Sequence, residues 1–163
     1  MSVIDELVES NRAYADRFDK GGLSHEPARR VALLVCMDCR LDPARMLGLE
    51  EGDAHVIRNA GGVVTEDAIR SLVVSQRLLG TNEIMLIHHT RCGMLGLSDD
   101  DVKAGIEADT GVRPSFSFAG FDDLDGDVRE SIARVKASPF LPDTSGVRGF
   151  VYEVESGRLR EVV

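Results

Sequence analysis

Val31-Ala-Leu-Leu-Val-Cys36 is a continuous apolar run, followed directly by Met37-Asp38-Cys39-Arg40. The run is too short for a buried helix and rich in branched side chains. It therefore reads as a strand covered on both faces, as in a parallel sheet. Outward from it, Asp42-Pro43 has the form of an N-cap with proline at the first helical position, opening a short helix to about Leu47. Ala54–Arg58 reads as a second strand, Thr65 starts a helix closed by Gly80, and Glu83-Ile-Met-Leu-Ile-His88 reads as a third strand. Strand, helix, strand, helix, strand predicts an α/β fold: a single domain with a mostly parallel central sheet flanked by helices.

The rest of the chain fits that frame. Ser2 to about Asp19 carries apolar residues at helical spacing, with Ser2 and Asp5 placed as a capping box and Gly21-Gly22 as the stop. Helices are expected at about Asp99–Ala108 and Asp122–Ala137, the latter with a Leu124, Val128, Ile132, Val135 stripe. The Asp99-Asp100-Asp101 run reads as a helix N-terminus, since calcium-loop spacing is missing. Phe150–Val154, a turn at Ser156-Gly157 and Leu159–Val162 predict a hairpin that puts an antiparallel strand on the sheet edge.

Composition narrows the function classes. The 163 residues carry 19 Lys+Arg against 28 Asp+Glu, a formal charge of −9, and 43% are apolar. An acidic chain lacks the basic face that nucleic acid requires and has no attraction to anionic lipid. The longest apolar run, Val31 to Met37, is far short of the roughly 20 residues of a membrane span. The acidic opening to Glu9 has no apolar signal segment, so the expected compartment is the cytoplasm. Thiols stay reduced there, and three Cys read as ligands, nucleophiles or core rather than bridges.

The residues able to do chemistry sit where strands end. Cys36 closes the first strand, and His88-His89-Thr90-Arg91-Cys92 closes the third. Functional groups in open α/β sheets gather beyond the carboxyl ends of the strands. Two thiols and an imidazole could meet there as three zinc ligands, leaving a fourth position open as catalytic sites do. Successive strand residues face opposite sides, so only one of His88 and His89 can serve easily. The His89–Cys92 spacing lets a tight turn bring both to one ion, which leaves His88 as a hydrogen-bonded core or outer-shell residue. Cys36-x-x-Cys39 also has redox-dithiol spacing, but it ends a strand, and the intervening Asp38 disfavours a thiolate. Asp38 and Arg40 share a side if extended, either as an ordinary surface ion pair or as a carboxylate oriented beside a metal-activated nucleophile. Arg58-Asn59-Ala60-Gly61-Gly62 is either a plain βα loop or a close backbone approach to a site. His25 and His55 have no partner pattern.

In order and interval, Cys36-x-Asp38-x-Arg40, Arg58-Asn59-Ala60-Gly61 and His89-x-x-Cys92-Gly93 resemble the β-class carbonic anhydrases, over roughly Val31 to Gly96. The likeness is to the short bacterial branch and is compatible with the whole chain, 1–163, as one such domain. It implies one zinc per chain on Cys36, His89 and Cys92, with Asp38 and Arg40 as catalytic dyad. Asn59, Ala60, Gly61 and Gly93 become candidates to line the substrate pocket. The implied reaction is reversible hydration of carbon dioxide to bicarbonate and a proton, by attack of zinc-bound hydroxide. The implied assembly is a homodimer or higher homo-oligomer, with the N-terminal helix packed on a partner. The glutamine that plant-type members carry upstream of the first ligand is missing, since Gln76 lies in a helix well after Cys36. The substrate-lining shell therefore differs. Carbonyl sulfide and carbon disulfide hydrolases use the same metal set, so the motifs do not separate their substrates from carbon dioxide. A non-catalytic zinc- or anion-binding module is the alternative of another class.

Overall fold

A computed structural model describes residues 2–163; Met1, the first residue of the expected 1–163 domain, lies outside the described residues. Helix α1 (Val3–Ala15) is followed by β1 (Val31–Cys36), α2 (Pro43–Leu47), β2 (Ala54–Asn59), α3 (Glu66–Arg77) and β3 (Glu83–His89). Next come α4 (Asp99–Thr110), α5 (Leu124–Lys136), β4 (Gly146–Glu153) and β5 (Arg158–Val162). The five strands form one sheet in the order β2-β1-β3-β4-β5. Every pairing is parallel except β4 with β5, which puts the expected antiparallel strand at the edge.

Strand parity divides the interior. Ala32, Leu34, Ile84 and Leu86 face one side and pack with Ala68 and Leu72 of α3 and Val135 of α5. Leu33, Val35 and Ile87 face the other side and pack with Leu41, Val63 and Phe121. Central strands covered on both faces need apolar residues at consecutive positions, which is why β1 reads as an unbroken run.

The local signals act as anticipated at several ends. Ser2 and Asp5 close a capping box, Asp42 and Thr65 accept the N-cap hydrogen bonds of α2 and α3, and Ser98 caps α4 at the triple aspartate. Most boundaries fall within about two residues of expectation, and two differ by more. Helix α1 stops at Ala15 rather than near Asp19, because Arg17 and Phe18 N–H groups bond three residues back, to Tyr14 and Ala15, and tighten the chain into turns. Strand β4 begins at Gly146 rather than Phe150. A Cβ built on Gly149 would collide with Val128 and Ile132 of α5. That strand position has no side chain because a helix lies directly on it, and the apolar pattern is silent there.

Gly62 sits where β1, β3 and the 3₁₀ turn Ala60–Gly62 meet. Its φ is +69°, and a Cβ would lie 2.8 Å from the Cys36 amide nitrogen and 2.9 Å from the Ile87 carbonyl oxygen. Both neighbours are backbone and cannot give way. Gly62→Ala is therefore expected to lower stability by roughly 2–5 kcal/mol, combining left-handed strain with overpacking. Denaturant unfolding should show the fall in midpoint; an unchanged midpoint would mean the loop yields more easily than this packing allows.

Candidate metal centre

The sheet order reverses at β1: its connection to β2 runs one way and β3 lies on the other side. The crevice beyond the carboxyl ends of β1 and β3 is the switch point where open α/β sheets place their sites. Cys36 ends β1 and His89 ends β3, while Cys92 returns on the turn after β3. Their ligand atoms all lie within 4.8 Å of one another, and all three residues are buried.

Parity decides between the histidines. His89 falls on the Leu33–Val35–Ile87 side with the cysteines. His88 points the other way, onto α5, where its Nε2 meets Asp127 Oδ2 at 2.5 Å and its ring tilts on Phe121. It is thus a hydrogen-bonded core histidine outside the cluster.

The cluster has the chemistry of a zinc site. A carbonyl can only accept, so the 2.9 Å contact with the Thr90 carbonyl places the proton of His89 on Nδ1. His89 Nε2 is left as a bare lone pair, fully buried and with no hydrogen-bond partner. Such an orphan costs about 1–3 kcal/mol unless something binds it. The Cys36 and Cys92 sulfurs stand 4.0 Å apart, close to the roughly 3.8 Å separating two thiolates about 2.3 Å from one tetrahedral ion. The hydrogen bond shared by the two sulfurs holds the Cys36 thiol well below the usual thiol range and pushes Cys92 above it, so one of the pair ionises readily and the other keeps its proton. The two sulfurs and one nitrogen fit zinc.

Asp38 and Arg40 adjoin the cluster. Arg40 Nε donates to Asp38 Oδ1 at 2.9 Å and Nη2 to Oδ2 at 2.6 Å, and the Arg40 amide adds a third bond to Oδ1. These bonds hold the Asp38 carboxyl well below the usual carboxylate range. Asp38 Oδ2 lies 3.7 Å from His89 Nε2, so the locked carboxylate faces the same small space. Arg40 Nη2 also donates to the Arg91 carbonyl at 3.0 Å, joining the first ligand loop to the second.

The contacts of Arg58 are not visible in its motif. From β2 its guanidinium donates to the Cys36 carbonyl at 3.1 and 2.8 Å and to the Asp38 carbonyl at 2.8 Å. The register that sets Cys36 beside Asn59 brings it there. Asn59 donates through Nδ2 to the Val63 carbonyl and leaves its buried Oδ1 without a partner. Ala60 and Gly61 lie in the 3₁₀ turn, where a Cβ on Gly61 would meet Val63, Met94 and Phe121. Gly93 faces open space. Cys39 is exposed and lies outside the cluster, whereas Cys36 is buried and stands 4.0 Å from Cys92. His25 is exposed, and His55 Nδ1 shares a hydrogen bond with Ser75.

Fold and cluster together define an α/β protein with a candidate two-sulfur, one-nitrogen metal centre at its switch point. Known proteins narrow the class. A family model described as carbonic anhydrase matches residues 31–113. Beta-carbonic anhydrase 1 of Mycobacterium tuberculosis is 52% identical over 162 residues, 99% of each chain. The crystal structure of a carbonic anhydrase from Streptococcus mutans superposes with a TM-score of 0.94 at 43% identity, covering 100% of this chain and 99% of that one. A carbon disulfide hydrolase of Saccharolobus solfataricus is 35% identical, covering 97% of this chain and 88% of its own. The chain belongs to the β-carbonic anhydrase family.

Proposed function

We propose that this chain catalyses the reversible hydration of carbon dioxide to bicarbonate and a proton, with one zinc ion held by Cys36, His89 and Cys92. The observation that carries the reading is the orphaned Nε2 of His89, converging with two sulfurs beside an arginine-locked carboxylate. When bound, zinc supplies Lewis acidity that brings the ionisation of water towards neutral pH.

The chain's own groups do the rest. Asp38, kept ionised by Arg40, can only accept a hydrogen bond, so it orients the O–H of the attacking oxygen and leaves a lone pair free for the substrate carbon. Arg40 holds that carboxylate by its fork and ties it to the Arg91 carbonyl, so the acceptor is in place before substrate arrives. Arg58 braces the Cys36–Asp38 backbone from β2. Asn59, Ala60, Gly61 and Gly93, at the end of β2 and on the loops that follow β2 and Cys92, are assigned to the substrate pocket on the family resemblance.

Metal analysis with stopped-flow hydration and sulfide-release assays on one preparation tests the reading. The expected result is one zinc per chain and carbon dioxide hydration well above the rate of aqueous zinc. Full zinc with sulfide release from carbon disulfide, and no hydration, would assign the chain to the chemistry named for its S. solfataricus relative, and release from carbonyl sulfide alone would make it a carbonyl sulfide hydrolase. Full zinc with neither activity would make it a binding module.

The reading includes assembly with a second copy. Helix α1 buries none of its residues, and Ile4, Leu7 and Val8 are exposed along it, with Ile4 at 72%. Strand β2 is a sheet edge with Val56 also exposed. An apolar helix face and an open edge favour a homo-oligomer in which α1 lies on its partner. No helix among the described residues is long and apolar enough to cross a membrane. The three free cysteines suit a reducing cytoplasm.

A further inference from the structure

Only Thr90 and Arg91 separate His89 from Cys92, and this turn does not hold its own shape. Arg91 has φ +56°, a left-handed conformation unfavourable for a long side chain. Such a conformation persists where its surroundings over-determine it. Here the surroundings are the turn between β4 and β5, far along the chain.

Thr90 is stitched three times to the end of β4 and the turn that follows it. Its amide donates to the Tyr152 carbonyl at 2.9 Å, its hydroxyl donates to Glu155 Oε2 at 2.9 Å, and the same hydroxyl accepts from the Val154 amide at 3.1 Å. The Arg91 guanidinium reaches the other Glu155 oxygen at 3.7 Å. The Thr90 hydroxyl, ahead of the Arg91 and Arg40 charges, lowers Glu155 below the usual carboxylate range. An ionised carboxylate can only accept and an amide can only donate, so both roles of the hydroxyl are fixed. The Thr90 carbonyl is in turn the acceptor that selects the tautomer of His89. The hydroxyl thus anchors the residue whose carbonyl aims the imidazole, in the turn that leads to Cys92.

We propose that Thr90 and Glu155 form a latch between the C-terminal hairpin and the metal turn, acting as positioning residues that hold His89 and Cys92 in ligating geometry. The inference rests on the reading of Cys36, His89 and Cys92 as zinc ligands. Groups that orient ligands without touching the metal typically change its affinity by about 10–100-fold when removed.

The test uses the zinc-loaded protein and three variants: Thr90→Val, which keeps the shape and loses the hydroxyl, Thr90→Ser, which keeps the hydroxyl, and Glu155→Ala on an exposed turn. Zinc release to a chromogenic chelator and the visible absorption of the cobalt(II)-substituted protein are recorded for each. Thr90→Val is expected to release zinc at least about tenfold faster and to shift the cobalt bands, with Thr90→Ser close to wild type. Glu155→Ala should speed release by about two- to tenfold, the range for one lost hydrogen bond. A merely structural role would lower thermal stability and leave the cobalt bands unmoved. Unchanged release and bands in Thr90→Val, or a Thr90→Ser variant as fast as Thr90→Val, would overturn the latch. Should Thr90→Val not fold, wild-type release in Glu155→Ala would overturn it. Wild-type zinc content is measured first; a chain that takes up no zinc would overturn the ligand assignment and the latch together, whereas full zinc with unaltered release removes the latch alone.

Discussion

Cys92→Ser is expected to lose more than about 100-fold in zinc affinity, beyond the 10–100-fold typical of residues that only support a ligand. Serine is nearly isosteric, so the fold has no steric reason to fail. What changes is the donor, since a serine hydroxyl is far harder to ionise than a thiol and is a poor partner for zinc. His89 Nε2 and Cys36 would then face each other across a site with two good donors instead of three. Ligand binding stabilises the folded state in proportion to the logarithm of ligand over dissociation constant, about 4 kcal/mol at a thousandfold excess. Added zinc should therefore raise the thermal midpoint of the wild-type protein and leave that of Cys92→Ser nearly unmoved. Zinc content by elemental analysis gives the direct reading, and full occupancy in the variant would show that the ligand set is wrong.

Asp38→Ala separates chemistry from metal binding. Asp38 contributes no atom to the three-residue cluster, so zinc content should stay near wild type. Turnover should fall by about 10²–10⁴-fold, the usual contribution of a positioned proton-handling group. The loss should appear in kcat, because the orienting hydrogen bond matters at attack and little for holding a small apolar substrate. Arg40 would also lose its bidentate partner while keeping its bond to the Arg91 carbonyl. Stopped-flow hydration with parallel zinc analysis checks both halves. An unchanged rate would remove the dyad from the mechanism.

Much of the fold and the cluster is legible in the sequence. A six-residue apolar run cannot hide one face in water, so β1 had to be central, and alternation with helices made the sheet parallel. Strand parity separated His88 from His89 for the same reason that it separates any two consecutive strand residues. The misses have physical causes as well. Gly146 and Gly149 hid the start of β4, because close packing against α5 required the absence of a side chain and so erased the signal. The early end of α1 depends on hydrogen bonds three residues back that its apolar spacing does not register. Arg58 stands in plain view within a motif, but its two carbonyl acceptors belong to the end of β1 and the loop that follows it.

Local chemistry along the chain determined the element types, the caps, the parity of each strand and the identity of the donor atoms, because these depend on neighbours within about four residues. Tertiary structure alone decided that two sulfurs would stop 4.0 Å apart, that a guanidinium from β2 would brace the backbone of β1, and that a hairpin some sixty residues downstream would grip Thr90. Those facts follow from sheet register and loop closure. They are properties of how strands pair, and no window of sequence contains both partners.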